Sequence, residues 1–187
     1  MLKRDARLPE IYKRELSGNY DFLKSQHSVY IHGDGGTGKS HLATLLLMNQ
    51  LYENATVNEK GDIRIPEFTF LLETEFILEL KASFKERLLS EWEIVNKYVS
   101  LPFLLLDDLG VSSPGEWSRG SLYTLLEKRR LADKAIIITS NFGLDELAAR
   151  LDDRLSSRIA EICYVHKLSG EDYRVTIAIN RKNGSAK

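Results

Sequence analysis

The stretch Gly33-Asp34-Gly35-Gly36-Thr37-Gly38-Lys39-Ser40 constrains this chain more than any other part of it. It fits the phosphate-loop pattern G-x-x-x-x-G-K-[ST] in full. Ser28-Val29-Tyr30-Ile31 before it reads as a short strand. Lys39 to Tyr52 after it, with Leu42, Ala43, Leu45, Leu46, Leu47 and Leu51 at helical spacing, reads as a buried helix. Strand, glycine loop and helix in that order are the context in which such a loop works. The glycines let backbone N–H groups curl inward toward phosphate oxygens, and the helix adds its positive end. The expectation is a nucleotide site running from Gly33 to His41, with Lys39 on the β- and γ-phosphates and Ser40 as a ligand of Mg²⁺.

The rest of the chain alternates strand and helix. Phe68–Leu72, Phe103–Leu106, Ala135–Thr139 and Ile162–Lys167 read as strands. Helices are expected after Thr74, from about Trp117 to Arg130, and from about Asp145 to Ile159; residues 53–66 read as loop. The strands are continuous apolar runs rather than alternating ones. That predicts a parallel sheet covered by helices on both faces, with the ligand at the carboxyl ends of the strands. The expected domain covers residues 28–174, preceded by a leader with a short helix (1–27) and followed by a tail (175–187).

Composition narrows the function. With 26 basic and 27 acidic residues the net charge is −1, so any contact with nucleic acid must come from a local patch. Cys163 is the only cysteine, which excludes an intrachain disulfide and leaves a cysteine-based zinc site without ligands. No apolar run is long enough for a membrane span, and the charged start of the chain has no signal core. A cytoplasmic protein without membrane contact is expected.

Three further clusters fall at strand or helix ends. Leu104-Leu105-Leu106 runs into Asp107-Asp108, where fraying would let both carboxylates reach the phosphate side. Asp107 suits a Mg²⁺ ligand and Asp108 a base that polarises the attacking water. Without a phosphate loop the pair would read as a solvated strand end. Asn141, after Ile136-Ile137-Ile138-Thr139-Ser140, can orient that water or merely begin a turn. Arg154 and Arg158 share a helix face; one can be an arginine finger for a neighbouring subunit, or both can serve a surface ion-pair helix.

Together these segments resemble the AAA+ family, and within it the bacterial replicative-helicase loaders (the DnaC/DnaI group) and the related IstB transposition helpers. The resemblance rests on YIHGDGGTGKSHLA (30–43), FLLLDDLG (103–110), IIITSN (136–141), DDRLSSRI (152–159) and SGEDYR (169–174). It implies an α/β P-loop NTPase with ATP or ADP and Mg²⁺ as cofactors. Lys39 and Ser40 would be Walker A residues, Asp107 and Asp108 Walker B, Asn141 sensor 1, Arg158 the finger with Arg154 second, and Arg174 a sensor-2-like arginine. The chain departs from the pattern in three ways. Asp108 stands where most AAA+ enzymes have Glu, which implies slow hydrolysis. The short stretch after Arg174 leaves no room for a C-terminal helical lid domain. Nothing in residues 1–27 matches the loaders' helicase-gripping domain, so the chain is either the ATPase part of a longer protein or a short relative that engages partners differently.

The resemblance also places a DNA-contact helix at 74–98, where Lys81 would hold a phosphate and Phe84 stack a base. Phe84 equally fits the apolar face formed by Phe76, Leu80 and Leu88. The resulting expectation is a slow, assembly-dependent ATPase of DNA replication. Its partners would be single-stranded DNA, a replicative helicase and, with ATP, further copies of itself arranged head to tail. An IstB-like helper of transposition and a nucleotide-switched adaptor without significant hydrolysis are the alternatives.

Overall fold

A computed structural model describes residues 27–86, 89–112 and 114–173. The elements are β1 (Val29–His32), α1 (Lys39–Glu53), β2 (Thr56–Val57), β3 (Ile63–Arg64), β4 (Phe68–Leu72), α2 (Glu73–Glu86), α3 (Glu91–Ser100), β5 (Phe103–Leu109), α4 (Glu116–Leu131), β6 (Ala135–Ser140), α5 (Leu144–Arg150), α6 (Asp153–Ile162) and β7 (Tyr164–Lys167).

Five strands form a parallel sheet in the order β4-β5-β6-β1-β7. The period-2 geometry of a strand sends alternate residues to opposite faces, and both faces here are apolar. Val29, Ile31, Phe103, Leu105, Ala135 and Ile137 pack with Leu42, Leu46 and Leu47 of α1 on one side. Tyr30, Leu104, Leu106, Ile136 and Ile138 pack on the other with Phe76 and Leu80 of α2, Ile94 and Tyr98 of α3, Leu122 and Leu125 of α4, and Leu155 and Ile159 of α6. Helices thus cover both faces, as the unbroken apolar runs predict.

Arg129 ties these layers together from inside. It is fully buried, and its guanidinium donates to the carbonyls of Tyr98, Leu101, Pro102 and Ala135. The end of α3 and the start of β6 are joined through it. Burial lowers its pKa to about 10, which leaves it charged at neutral pH.

Four expectations need correction. The helix expected across 74–98 is two helices, because Ser90 starts a new one: its hydroxyl accepts from the Glu93 N–H while the Glu93 carboxylate accepts from the Ser90 N–H, a reciprocal cap. The helix expected across 145–159 likewise breaks before Asp152, whose side chain caps α6 by accepting from the Arg154 N–H. The supposed loop 53–66 contains the small hairpin β2–β3, whose turn is organised by Asn58 Oδ1 accepting from the N–H groups of Lys60 and Asp62. Finally, β5 does not fray at Asp107. It continues to Leu109 through an irregularity between Leu106 and Leu109, at which Asp108 takes a φ of 58°. The leader and the tail lie outside the described residues, apart from the leader's last residue, His27.

Candidate functional site: a phosphate loop facing a buried carboxylate

Gly33, Gly36 and Gly38 have positive φ, of 150°, 78° and 92°, in the loop that turns β1 into α1. Only glycine takes these conformations without strain. Close packing adds a second reason. A Cβ on Gly33 would collide with the Leu168 carbonyl and one on Gly36 with the Asp172 carboxylate. The stretch after β7 therefore lies directly against the loop: Leu168 N–H donates to the His32 carbonyl (2.7 Å) and Tyr173 N–H to the Gly36 carbonyl (3.1 Å). Residue-type reasoning gave no role to Asp172 or Tyr173, because their meaning depends on β7 pairing with β1. Asp34 and Gly35 are exposed at the loop's tip, and His41 is exposed on the first turn of α1.

Lys39 is buried, 6% exposed, and donates from Nζ to the Asp34 carbonyl at 2.7 Å. Thr37 Oγ1 donates to the same carbonyl at 2.9 Å. The loop is thus held from within, and a lysine ammonium is fixed at its centre. Ser40 is half-buried on the first turn of α1.

The second half of the site is built on β5 and β6. Asp107 is 4% exposed, and its Oδ1 accepts from Thr139 Oγ1. Thr139 Oγ1 in turn accepts from the Asp108 N–H at 3.0 Å. One hydroxyl therefore fixes the buried carboxylate and the backbone of the half-buried residue after it. Thr139 carried a signal in the sequence, being the first polar residue to interrupt an apolar strand, but its partner could be seen only once β5 and β6 were paired.

The strand order brings the pieces together. Because β6 lies between β1 and β5, Asn141, exposed just past the end of β6, stands between the phosphate loop and Asp107-Asp108. Tyr30 supports that turn from below by donating to the Phe142 carbonyl at 2.6 Å; burial raises its pKa to about 12, so it remains a donor. The oxygen donors available, the Ser40 hydroxyl and the Asp107 carboxylate, suit Mg²⁺. Among the described residues no group of three or more His, Cys, Asp or Glu could cage a metal ion. A Mg²⁺ ion there would be held by one or two protein oxygens, with phosphates and water completing its shell.

The remaining expected residues are more scattered. Arg154 is largely exposed and pairs with Asp152 at 3.2 Å. Arg158 is mostly covered. It pairs with Glu127 at 2.8 Å and with Glu161, and its Nη2 donates to the Tyr123 hydroxyl. Lys81 is exposed on α2, while Phe76 and Leu80 of the same helix are fully buried. The side chain of Phe84 and all of Arg174 lie outside the described residues.

A parallel sheet with β6 between the phosphate-loop strand and the acidic strand, flanked by helices, is the fold of an AAA+ P-loop protein, and solved structures share it. The DnaC helicase loader matches with a TM-score of 0.62 at 23% identity, over 85% of this chain and 87% of that one. The replication initiator DnaA bound to AMPPCP and single-stranded DNA matches with a TM-score of 0.63 at 23% identity, over 87% of this chain and 45% of that one. Residues 10–180 match the family model of the IstB-like ATP binding proteins, and the chain belongs to that family. It is 29% identical over 177 residues to the replicative helicase loader DnaI of Bacillus subtilis, covering 82% of this chain and 51% of the loader. It is 27% identical over 179 residues to a putative ATP-binding protein in an insertion sequence of Mycobacterium tuberculosis, covering 91% of this chain and 64% of that protein. The chain thus spans about half to two thirds of the length of these relatives. It is an ATP-binding domain related to the helicase loaders. Among the described residues no helix is long and apolar enough to cross a membrane.

Proposed function

We propose that this domain binds ATP with Mg²⁺, hydrolyses it slowly, and acts on single-stranded DNA in loading a replicative helicase in the cytoplasm. The observation that carries the reading is the convergence of Lys39, Asp107-Asp108 and Asn141 at one edge of β1, β6 and β5. Backbone N–H groups of the loop and the Lys39 ammonium would hold the phosphates by charge-assisted hydrogen bonds. Ser40 and Asp107 would hold Mg²⁺, which when bound offsets charge on the phosphate oxygens. Asp108 would accept a proton from the attacking water, and Asn141 would orient that water. Asp108 reaches less far than a glutamate, which favours slow turnover. An arginine from a neighbouring copy, Arg158 or Arg154, would supply the missing positive charge on the transferred group. Arg174 would contact the nucleotide as a sensor-2-like arginine, and Lys81 and Phe84 would contact DNA.

The second reading is an ATPase helper of transposition. It is favoured by the family to which the chain belongs and by the relative encoded in an insertion sequence. DNA preference separates the two. Labelled single strands and duplexes of one sequence are titrated with the full chain in ATP and in ADP. Helicase loading predicts preferred, ATP-dependent binding of single strands; duplex preference favours the transposition reading. Absence of DNA binding together with absence of turnover favours a nucleotide-switched adaptor. With a net charge of −1, affinity rests on a few local contacts, so the salt dependence should be shallow.

A further inference from the structure

The turn after Asp108 is fastened by more groups than a surface turn needs. Asp108 (φ 58°) and Gly110 (φ 85°) both adopt left-handed backbone within three residues. Such a conformation at a non-glycine residue persists only where its surroundings impose it. Here the backbone groups from Asp108 to Ser112 are held by side chains from three other elements. From β6, Thr139 accepts from the Asp108 N–H and Ser140 Oγ donates to the Leu109 carbonyl at 2.6 Å. From the start of α2, Glu73 Oε2 accepts from the N–H groups of Gly110 and Ser112, each at 3.2 Å, and from the Ser112 hydroxyl at 2.9 Å. From the end of α5, Arg150 Nε donates to the Gly110 carbonyl at 3.1 Å while its guanidinium lies 4.1 Å from the centre of the Phe142 ring.

Glu73 is the unusual member. It is fully buried, and among the described residues its second oxygen, Oε1, has no hydrogen-bond partner. Burial raises its pKa, while the hydrogen bonds from Ser112 and Gly110, and more weakly the charge of Arg150, act in the opposite direction. A buried carboxylate that leaves one oxygen unsatisfied is a costly way to secure an ordinary loop. Its three donors all lie in the turn that sets the direction of Asp108.

We propose that Glu73 and Arg150 are positioning residues for Asp108. They hold Gly110 by its N–H and by its C=O respectively, and so fix the turn that aims the Asp108 carboxylate. The inference rests on the reading of Asp108 as the base for hydrolysis, and it adds two residues outside every motif of the site.

The test is a set of variants of the full chain: E73A, E73Q, R150A and the double E73A/R150A. Each is measured for ATP affinity by calorimetry, for kcat and KM, and for melting temperature. A displacement of the carboxylate by about an ångström predicts an E73A kcat lowered on the order of tenfold or more. ATP affinity and KM should stay within about twofold, because no phosphate contact is touched. E73Q keeps an acceptor oxygen in the same place and should recover most of kcat. R150A should lower kcat less, and the double variant should be no slower than E73A alone, as for two groups acting on one turn. If E73A does not fold, S112A, which removes only the hydroxyl donor, and R150A carry the same comparison of kcat against KM. An unchanged kcat with a lower melting temperature would make both residues structural and overturn the proposal, as would parallel loss of affinity and turnover. Normal turnover in E73A beside an inactive D108N would refute the positioning role alone. Absence of turnover in the unaltered chain would refute the hydrolysis reading and the proposal with it.

Discussion

Lys39 shows how one side chain serves the loop itself and the expected ligand with the same group. Its ammonium is buried against the Asp34 carbonyl, which also accepts from Thr37. Lys39→Ala therefore leaves that carbonyl with a partner, and its stability cost should stay within about 1 kcal/mol. The same variant removes the point charge that the loop offers to the β- and γ-phosphates. The expected result is loss of the calorimetric signal for ATP with a melting temperature close to that of the unaltered chain. Equal ATP affinity in the variant would refute the assignment. At this scale the positions of the motif residues, at the ends of β1, β5 and β6, were legible because the chemistry demands both their types and their spacing. The partners of Thr139, Glu73 and Arg150 were not. Each of these three residues acts on a backbone group from 31 to 40 positions away in the chain, and a residue type alone names no partner at that distance.

Between elements, the contact of α4 with α6 has a buried apolar side and, at its rim, a small network in which Glu127 pairs with Arg130 and Arg158, and Arg158 also reaches Glu161 and Tyr123. The hydrogen bond from Arg130, aided by the charges of Arg130 and Arg158, holds the Glu127 pKa below its ordinary 4.5. A depressed carboxylate pKa means that the unfolded chain takes up the proton more readily. The stabilising contribution is therefore complete above the ordinary value and lost as pH falls through the depressed one. Glu127→Gln should lower the melting temperature at pH 7, and the gap from the unaltered chain should close as pH falls below the ordinary 4.5 and through the depressed value. A gap of constant size from pH 7 to pH 3 would show that the charge of Glu127 contributes nothing. The elements themselves were largely readable from apolar periodicity. Among the helices the errors came at boundaries, where Ser90 with Glu93, and Asp152 alone, start new helices inside stretches whose apolar spacing runs on across the break. Periodicity records which face is buried and does not register a cap.

For the whole molecule, the parallel sheet could be inferred from its apolar strands, but its order could not. A crossover helix can return a strand to several places, and it is the return of β6 between β1 and β5 that assembles the site. The position of the two arginines bears on assembly. The Arg154 side chain is 78% exposed, whereas that of Arg158 is 19% exposed and engaged within its own chain. If one of them completes a neighbour's site, a variant lacking that arginine still binds ATP, and the Lys39→Ala protein still offers the arginine. Mixing two such proteins, each nearly inactive alone, should partly restore turnover, and comparing Arg158→Ala with Arg154→Ala in the mixture identifies the residue that acts. Failure of both mixtures, with activity per molecule independent of protein concentration, would leave both arginines as intrachain ion-pair residues. A contact in which one face meets a different face need not close into a ring, so light scattering with ATP and single-stranded DNA should give sizes that grow with concentration.

If this edge of the sheet hydrolyses ATP, Asp108 is the base on which turnover depends. The most direct test is ATP affinity and single-turnover hydrolysis measured side by side on the unaltered chain and Asp108→Asn. The amide keeps the shape of the carboxylate but cannot take up the proton. Equal affinity is expected, with slow turnover in the unaltered chain and turnover lowered on the order of a hundredfold or more in the variant. Equal turnover in the two proteins would contradict that role for Asp108.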